Sequence, residues 1–141
     1  MRMKQARRRA RAFALQAVYQ WLLAGGEAAE INRCMQNAPG FSKADREYFN
    51  TLLYGILQNS RSLDRQIALH LDRAVDALSP VERAILFIGA YELMHTPDIP
   101  YRVIINEAVE LSKVFGSADG YKYVNGVLDK LATRVRVRER S

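Results

Sequence analysis

Apolar residues recur along most of the chain at the spacing of one helix face. From Ala10 the positions Ala10, Phe13, Ala14, Ala17, Val18, Trp21 and Leu22 fall three and four residues apart, and Gly25-Gly26 follows, a pair able to adopt the left-handed conformation that ends a helix. Ile31, Cys34, Met35 and Ala38 repeat the spacing over a shorter stretch, which stops at Pro39-Gly40. That stripe predicts Cys34 as a small buried hydrophobe. Ser42 reads as an N-cap with Asp45 three residues on, and Ala44, Tyr48, Leu52, Gly55 and Ile56 form the stripe of a longer helix. A break is expected near Asn59-Ser60, because both residues favour caps, before Leu63, Ile67 and Leu71 resume the pattern.

The clearest start signal is Ser79-Pro80-Val81-Glu82. A serine N-cap, proline at the first helical position and glutamate at the third make a capping box, with Ser79 accepting from the N–H of Glu82 and Glu82 returning a bond to the N–H of Ser79. The run Val81, Ala84, Ile85, Leu86, Phe87, Ile88 and Ala90 is apolar on nearly all sides, which predicts a central helix buried between others. Prolines make Thr96–Pro100 a loop. Ile104, Ile105, Ala108, Val109, Leu111 and Phe115 then mark a helix ended by Gly116, and Tyr121, Val124, Val127, Leu128 and Leu131 mark a last one, with a tail of alternating arginine and valine expected to fray. No hairpin signal or Gly-rich phosphate loop appears. The pattern predicts an all-α bundle of about six or seven helices, one domain over residues 1–141.

Charge changes this picture from a bland bundle to an asymmetric one. The first eleven residues hold Arg2, Lys4, Arg7, Arg8, Arg9 and Arg11 with no acid, and the last twelve hold Lys130, Arg134, Arg136, Arg138 and Arg140 against Glu139. The formal net charge is +6, so the body between these basic ends is acidic. Such an arrangement suits a polyanion at the ends and a basic partner on the body. One cysteine excludes an intramolecular disulfide and fits a reducing compartment, and no apolar run approaches a membrane span or a secretory signal. We expect a cytoplasmic protein without membrane association. One cysteine and the distant His70 and His95 do not make a metal site, and no cofactor-binding motif is present. Glu107 and Glu110 lie one turn apart, a spacing common among surface acids and weak as a catalytic dyad, and His95 reads as a cation at a helix C-terminus. No catalytic residues are expected.

Four segments in order, Arg7-Arg8-Arg9-Ala10-Arg11 with Gln16–Trp21, Val81–Leu86 with Ala90–Leu93, Ile99–Leu111, and Phe115-Gly116 with Tyr123-Val124-Asn125-Gly126-Val127-Leu128-Asp129, resemble the bacterial transcription antitermination factor family NusB. The likeness runs over essentially the whole chain. It implies two small helical subdomains, no enzymatic activity, and binding of the boxA element of ribosomal RNA leader transcripts jointly with NusE, a small-subunit ribosomal protein, in the transcription elongation complex of ribosomal RNA operons.

Helical geometry agrees with this at the basic end. Lys4, Arg7 and Arg11 fall within about 60° of one another, with Arg8 at the edge, away from Ala10, Ala14 and Ala17. Arginines on one face bind phosphates but carry no sequence information, so specificity requires stacking and base-edge contacts on single-stranded RNA. The resemblance implies such an aromatic at Tyr123, beside Lys122; a core tyrosine is the competing reading. Tyr121 fits the apolar stripe better. Asn125-Gly126 in mid-helix is costly, and a close helix or RNA approach would explain it. Tyr19 and Glu82 match positions that face NusE in the family, Glu82 having its capping role as well. Gly120 and Ser117 depart from some relatives. Two other classes fit the pattern: a detached relative of the RNA-binding domain of ribosomal RNA methyltransferases, whose cofactor domain 141 residues cannot hold, and a helical scaffold on which the arginines only solvate.

Overall fold

The computed structural model describes residues 2–72 and 77–137. Among them the chain forms α1 (Arg2–Ala24), α2 (Ala28–Gln36), a 3-10 turn (Phe41–Lys43), α3 (Arg46–Gln58), α4 (Ser60–Ala68), α5 (Pro80–His95), α6 (Tyr101–Phe115) and α7 (Gly120–Val135), with no strand. The helices divide into two compact units, Met1–Asn59 and Ser60–Ser141. The predicted all-α class and helix number hold, and the predicted break falls at Asn59, where α3 ends.

In the first unit α1 begins at Arg2, eight residues before its apolar stripe does. The basic run has no periodicity to mark it, yet arginine, lysine and alanine are good helix formers, and the N–H of Asp45 donates to the carbonyl of Ala6 (2.9 Å), fixing this end against the start of α3. Ala10, Ala14, Ala17 and Val18 are fully buried, as are Phe49, Leu52, Leu53 and Ile56 of α3. Phe41 stands edge-on to both Phe13 (5.2 Å) and Phe49 (5.0 Å), so the 3-10 turn is held by its own aromatic anchor. Gly25, Gly26 and Gly40 all have positive φ, as the predicted helix stops require.

Two expectations in this unit need correction. The N-cap of α3 is Asp45, which accepts from the N–H of Tyr48 at 3.0 Å; Ser42 belongs to the 3-10 turn. Cys34 is exposed. The inward face of α2 carries Ile31 and Asn32, and a network replaces apolar contact there, Asn32 donating to Asn50 (3.0 Å) and Tyr54 (3.2 Å) while accepting from Gln36 (2.8 Å). A buried amide is stable only when its bonds are met, and this one is.

In the second unit α5 is the predicted central helix, with every residue from Ala84 to Ala90 buried and α4, α6 and α7 all in contact with it. A Cβ on Gly89 would lie 2.6 Å from Leu128 Cδ1, so glycine lets α5 and α7 approach closely. Beside Gly126 there is nothing within 4 Å, which removes helix packing as the reason for that residue.

The C-terminal end of α5 is closed from 40 residues away. Leu93 cannot pass its carbonyl to residue 97, because Pro97 has no N–H. Arg136, just past α7 and only 7% exposed, supplies the donor: its Nε donates to the Leu93 carbonyl (2.8 Å), Nη1 to Ile99 (2.9 Å), and Nη2 to Glu92 (3.2 Å) and Thr96 (3.0 Å). The expectation of a frayed tail is therefore corrected at Arg136; its continuation through Arg138 and Arg140 lies outside the described residues. His95, expected as the C-terminal cation, sits exposed in the last turn and stacks on Tyr91 (4.7 Å). Replacing Arg136 with methionine leaves buried carbonyls without donors and is expected to cost about 3 kcal/mol in a denaturant melt, with lysine restoring only part, since an ammonium cannot reproduce the guanidinium fork.

Candidate nucleic-acid interface

The arginine face of α1 is more differentiated than its helical wheel suggests. Lys4, Arg8 and Arg9 are exposed. Arg7 is half-buried: its guanidinium lies 4.6 Å from the Tyr48 ring centre and its Nε 3.9 Å from Asp45 Oδ2. Arg11 is only 4% exposed, with its guanidinium 5.4 Å from the same ring. Arg11 thus departs from the expected solvent-facing set, because Tyr48, itself buried, takes up its planar cation by stacking. Arg7, Asp45, Glu47, Tyr48 and Thr51 line a small pocket of about 270 Å³ between these helices.

In the second unit α6 and α7 run together and leave between them an open groove of about 650 Å³. Its walls are Tyr101, Arg102, Ile105, Asn106 and Val109 from α6, and Tyr121, Lys122, Asn125 and Asp129 from α7. Polar positions four residues apart on each helix, Arg102 with Asn106 and Tyr121 with Asn125 and Asp129, put amides, cations and rings on facing sides. Arg102 Nε donates to the Tyr101 hydroxyl (3.1 Å), fixing the guanidinium at the rim. Lys113 (5.1 Å) and Lys122 (6.0 Å) both lie near the Tyr121 ring. Their ion pairs, Lys113 with Glu110 (3.8 Å) and Lys122 with Asp119 (3.9 Å), are exposed and weak, so these cations remain available to another anion.

Lys122 lines the groove, and Tyr123 is half-buried outside the groove's lining. The aromatic facing the groove from α7 is Tyr121, which the apolar stripe assigned to the core; residues 121, 122, 125 and 129 share a face that 123 does not. Sequence reasoning missed Arg102, Asn106 and Asn125 as site residues. Their signal was the i, i+4 polar spacing on two helices joined by a short loop.

At the start of α5, Ser79 Oγ accepts from the Glu82 N–H (3.1 Å), as the capping box requires. The carboxylate returns its bond differently from expectation: Oε1 accepts from the Ser79 hydroxyl (3.0 Å), and Oε2 is turned toward Gly120, 3.1 Å from where a Cβ would stand. Tyr19 is exposed on α1, with Leu23 one turn on and more exposed still. Glu107 is buried whereas Glu110 pairs with Lys113, so the two carboxylates do not share a site. Among the described residues no group of three or more His, Cys, Asp and Glu side chains is placed to hold a metal ion, and no helix is long and apolar enough to cross a membrane.

These features define an all-helical protein with a cationic helix face and a polar, aromatic-lined groove. The NusB family model matches residues 8–133, and the chain belongs to the NusB family of transcription antitermination proteins. It is 57% identical over 137 residues to the transcription antitermination protein NusB of Paraburkholderia phymatum, covering 97% of this chain and 94% of that one. It is also 57% identical over 136 residues to that of Ralstonia pickettii, covering 96% and 88%. Among solved structures, NusB of T. maritima superposes with a TM-score of 0.80 at 30% identity over 90% of each chain. A structure of the antitermination factors NusB and NusE in complex with double-stranded RNA superposes with a TM-score of 0.82 at 27% identity, covering 94% of this chain and 99% of that one.

His70, following α4, has its pKa held below the ordinary value by burial first, then by the cations Arg134 and Lys130 of α7. A histidine whose folded pKa is depressed stabilises the fold fully above its unfolded pKa of 6.5 and loses that contribution as pH falls toward the folded value. His70→Gln is therefore expected to flatten the decline in melting temperature between about pH 6.5 and 5, relative to the parent protein.

Proposed function

We propose that this chain acts as a non-catalytic antitermination factor in the cytoplasm, binding boxA-type single-stranded leader RNA jointly with NusE within the elongation complex of ribosomal RNA operons. The observation that carries the reading is the α6–α7 groove, where Arg102 and Lys122 flank two tyrosines and two asparagines. Cations hold the backbone, the half-exposed Tyr121 ring stacks an unpaired base while buried Tyr101 fixes Arg102, and amides read base edges, contacts that suit single-stranded RNA better than a duplex. The matching RNA-binding residues are Lys122 in the groove and Lys4, Arg7 and Arg8 on α1, with Tyr123 retained from the family pattern and Arg11 supporting α1 from beneath through Tyr48. The NusE-facing residues are Tyr19 and Glu82: an exposed aromatic and an acid suit a basic ribosomal protein. The structure of related NusB and NusE factors with double-stranded RNA supports NusE and RNA as partners; the preference for a single strand rests on the groove.

The test is a titration of boxA-type RNA, as single strand and as duplex, at several salt concentrations. The single strand should bind more tightly. Replacing Lys4 and Arg8 together with alanine should make the slope of log K against log salt shallower by about 1.4, two single-strand phosphate contacts at about 0.7 each. Arg11→Ala should instead lower the melting temperature. A double variant with the parent slope, or a duplex preferred over the strand, overturns this assignment.

Glu82→Lys separates the cap from the partner surface. Loss of the capping carboxylate and a cation at the positive end of the α5 dipole should cost on the order of 1 kcal/mol in a melt. Affinity for NusE should fall further than that, because like charges then meet across the interface. Ser79→Ala removes the cap alone and should leave NusE binding near the parent value.

A further inference from the structure

The groove does not account for the rest of α7's exposed face. Lys122, Gly126, Lys130 and Arg134 follow one another at four-residue steps, each displaced by about 40° around the helix, so they trace a strip that winds about 120° around α7 from the groove to the C-terminal end. Lys122, Lys130 and Arg134 are exposed. Among the described residues neither Lys130 nor Arg134 has a carboxylate within ion-pair distance. Both bear on the His70 imidazole, whose Nε2 is shielded from solvent and has no hydrogen-bond partner, so the two cations converge on one place. Between them and Lys122 lies Gly126, poor for helix propensity and with open space where a side chain would stand. The chain's own packing does not require that glycine. A ligand backbone lying against the helix would use that space.

We infer that this line is a second RNA track, on which single-stranded RNA flanking the segment held in the groove lies against α7 at Gly126, its phosphates meeting Lys130 and Arg134. The occupant is polyanionic because the line presents cations, with the acids Asp119 and Asp129 on its groove side, and it is continuous with the groove through Lys122 and Asn125. The inference rests on the RNA reading of the groove and extends it toward sequence-independent contacts outside boxA.

Two RNAs test it: a boxA-type core, and the same core with ~10 unpaired nucleotides on each side, within the range a single-strand site spans. The parent protein should bind the longer RNA more tightly. Lys130→Gln with Arg134→Gln should remove that gain and make the salt slope for the longer RNA shallower by about 1.4, which is about sevenfold less loss of affinity between 50 and 200 mM salt. Gly126→Leu, charge-neutral and without a clash in the free protein, should melt no lower than the parent yet lose the same gain. Binding of the core should stay unchanged in both variants. Equal affinity of the parent for the two RNAs, or a gain that survives in either variant, overturns the track. Variants that keep the gain but lose NusE assign the line to the protein partner and also overturn it. A parent protein that binds neither RNA refutes the groove reading, and the track with it.

Discussion

Arg136 and the carbonyls it gathers hold the second unit in its working form. A helix that ends before proline leaves acceptors with no local donor, and α5 ends that way while almost wholly buried. One guanidinium meets this need at the Leu93 and Ile99 carbonyls and adds a second donor at those of Glu92 and Thr96, which already accept from the Thr96 and Ile99 N–H groups. Two of those oxygens, on Thr96 and Ile99, lie in the loop leading directly into Tyr101 and Arg102. The groove's α6 wall therefore starts from a backbone fixed by the far end of α7, the helix that forms its other wall. The geometry of both walls is tied to a single side chain.

The same economy shapes the charge distribution. Tyr48 takes up the guanidinium of Arg11 and part of that of Arg7, while Asp45 caps α3 and bonds backbone to α1. What remains exposed on α1 is Lys4, Arg8 and Arg9, beside the half-buried Arg7 anchored on Tyr48 and Asp45. An anchored arginine loses less side-chain freedom on meeting an anion, and exposed cations raise encounter rates with one.

The fold was legible because helix periodicity is a local property, and the capping box at Ser79, the paired glycines at 25 and 26 and the break at Asn59 are local signals too. The misreadings arose where a distant residue decides the outcome. Cys34 sits on an apolar stripe, yet α3 presents Asn50 and Tyr54 to the neighbouring face, so Asn32 turns inward instead. Arg11 reads as a surface cation until Tyr48 is placed beneath it. Arg136 lies in a tail that looks solvated, since nothing near it in sequence hints at the proline-capped helix end it serves. In the site, the cations could be read residue by residue, whereas the groove required two helices in register. The choice between Tyr121 and Tyr123 as the ring facing it turned on a rotation that apolar spacing alone does not settle.

The carboxylate of Glu82 has a consequence for how this sequence can change over time. Its Oε2 is turned toward Gly120, and a methyl at that position would stand 3.1 Å from this oxygen and 2.9 Å from Ser117 Oγ, beside a buried Ser112 hydroxyl that has no hydrogen-bond partner. Positions 82, 117 and 120 are thus energetically coupled although they belong to two helices and a loop, and substitutions among them will not add. A side chain at 120 therefore requires the Ser117 hydroxyl and the Glu82 carboxylate to shift, which disturbs the bond that carboxylate makes to Ser79 at the start of α5.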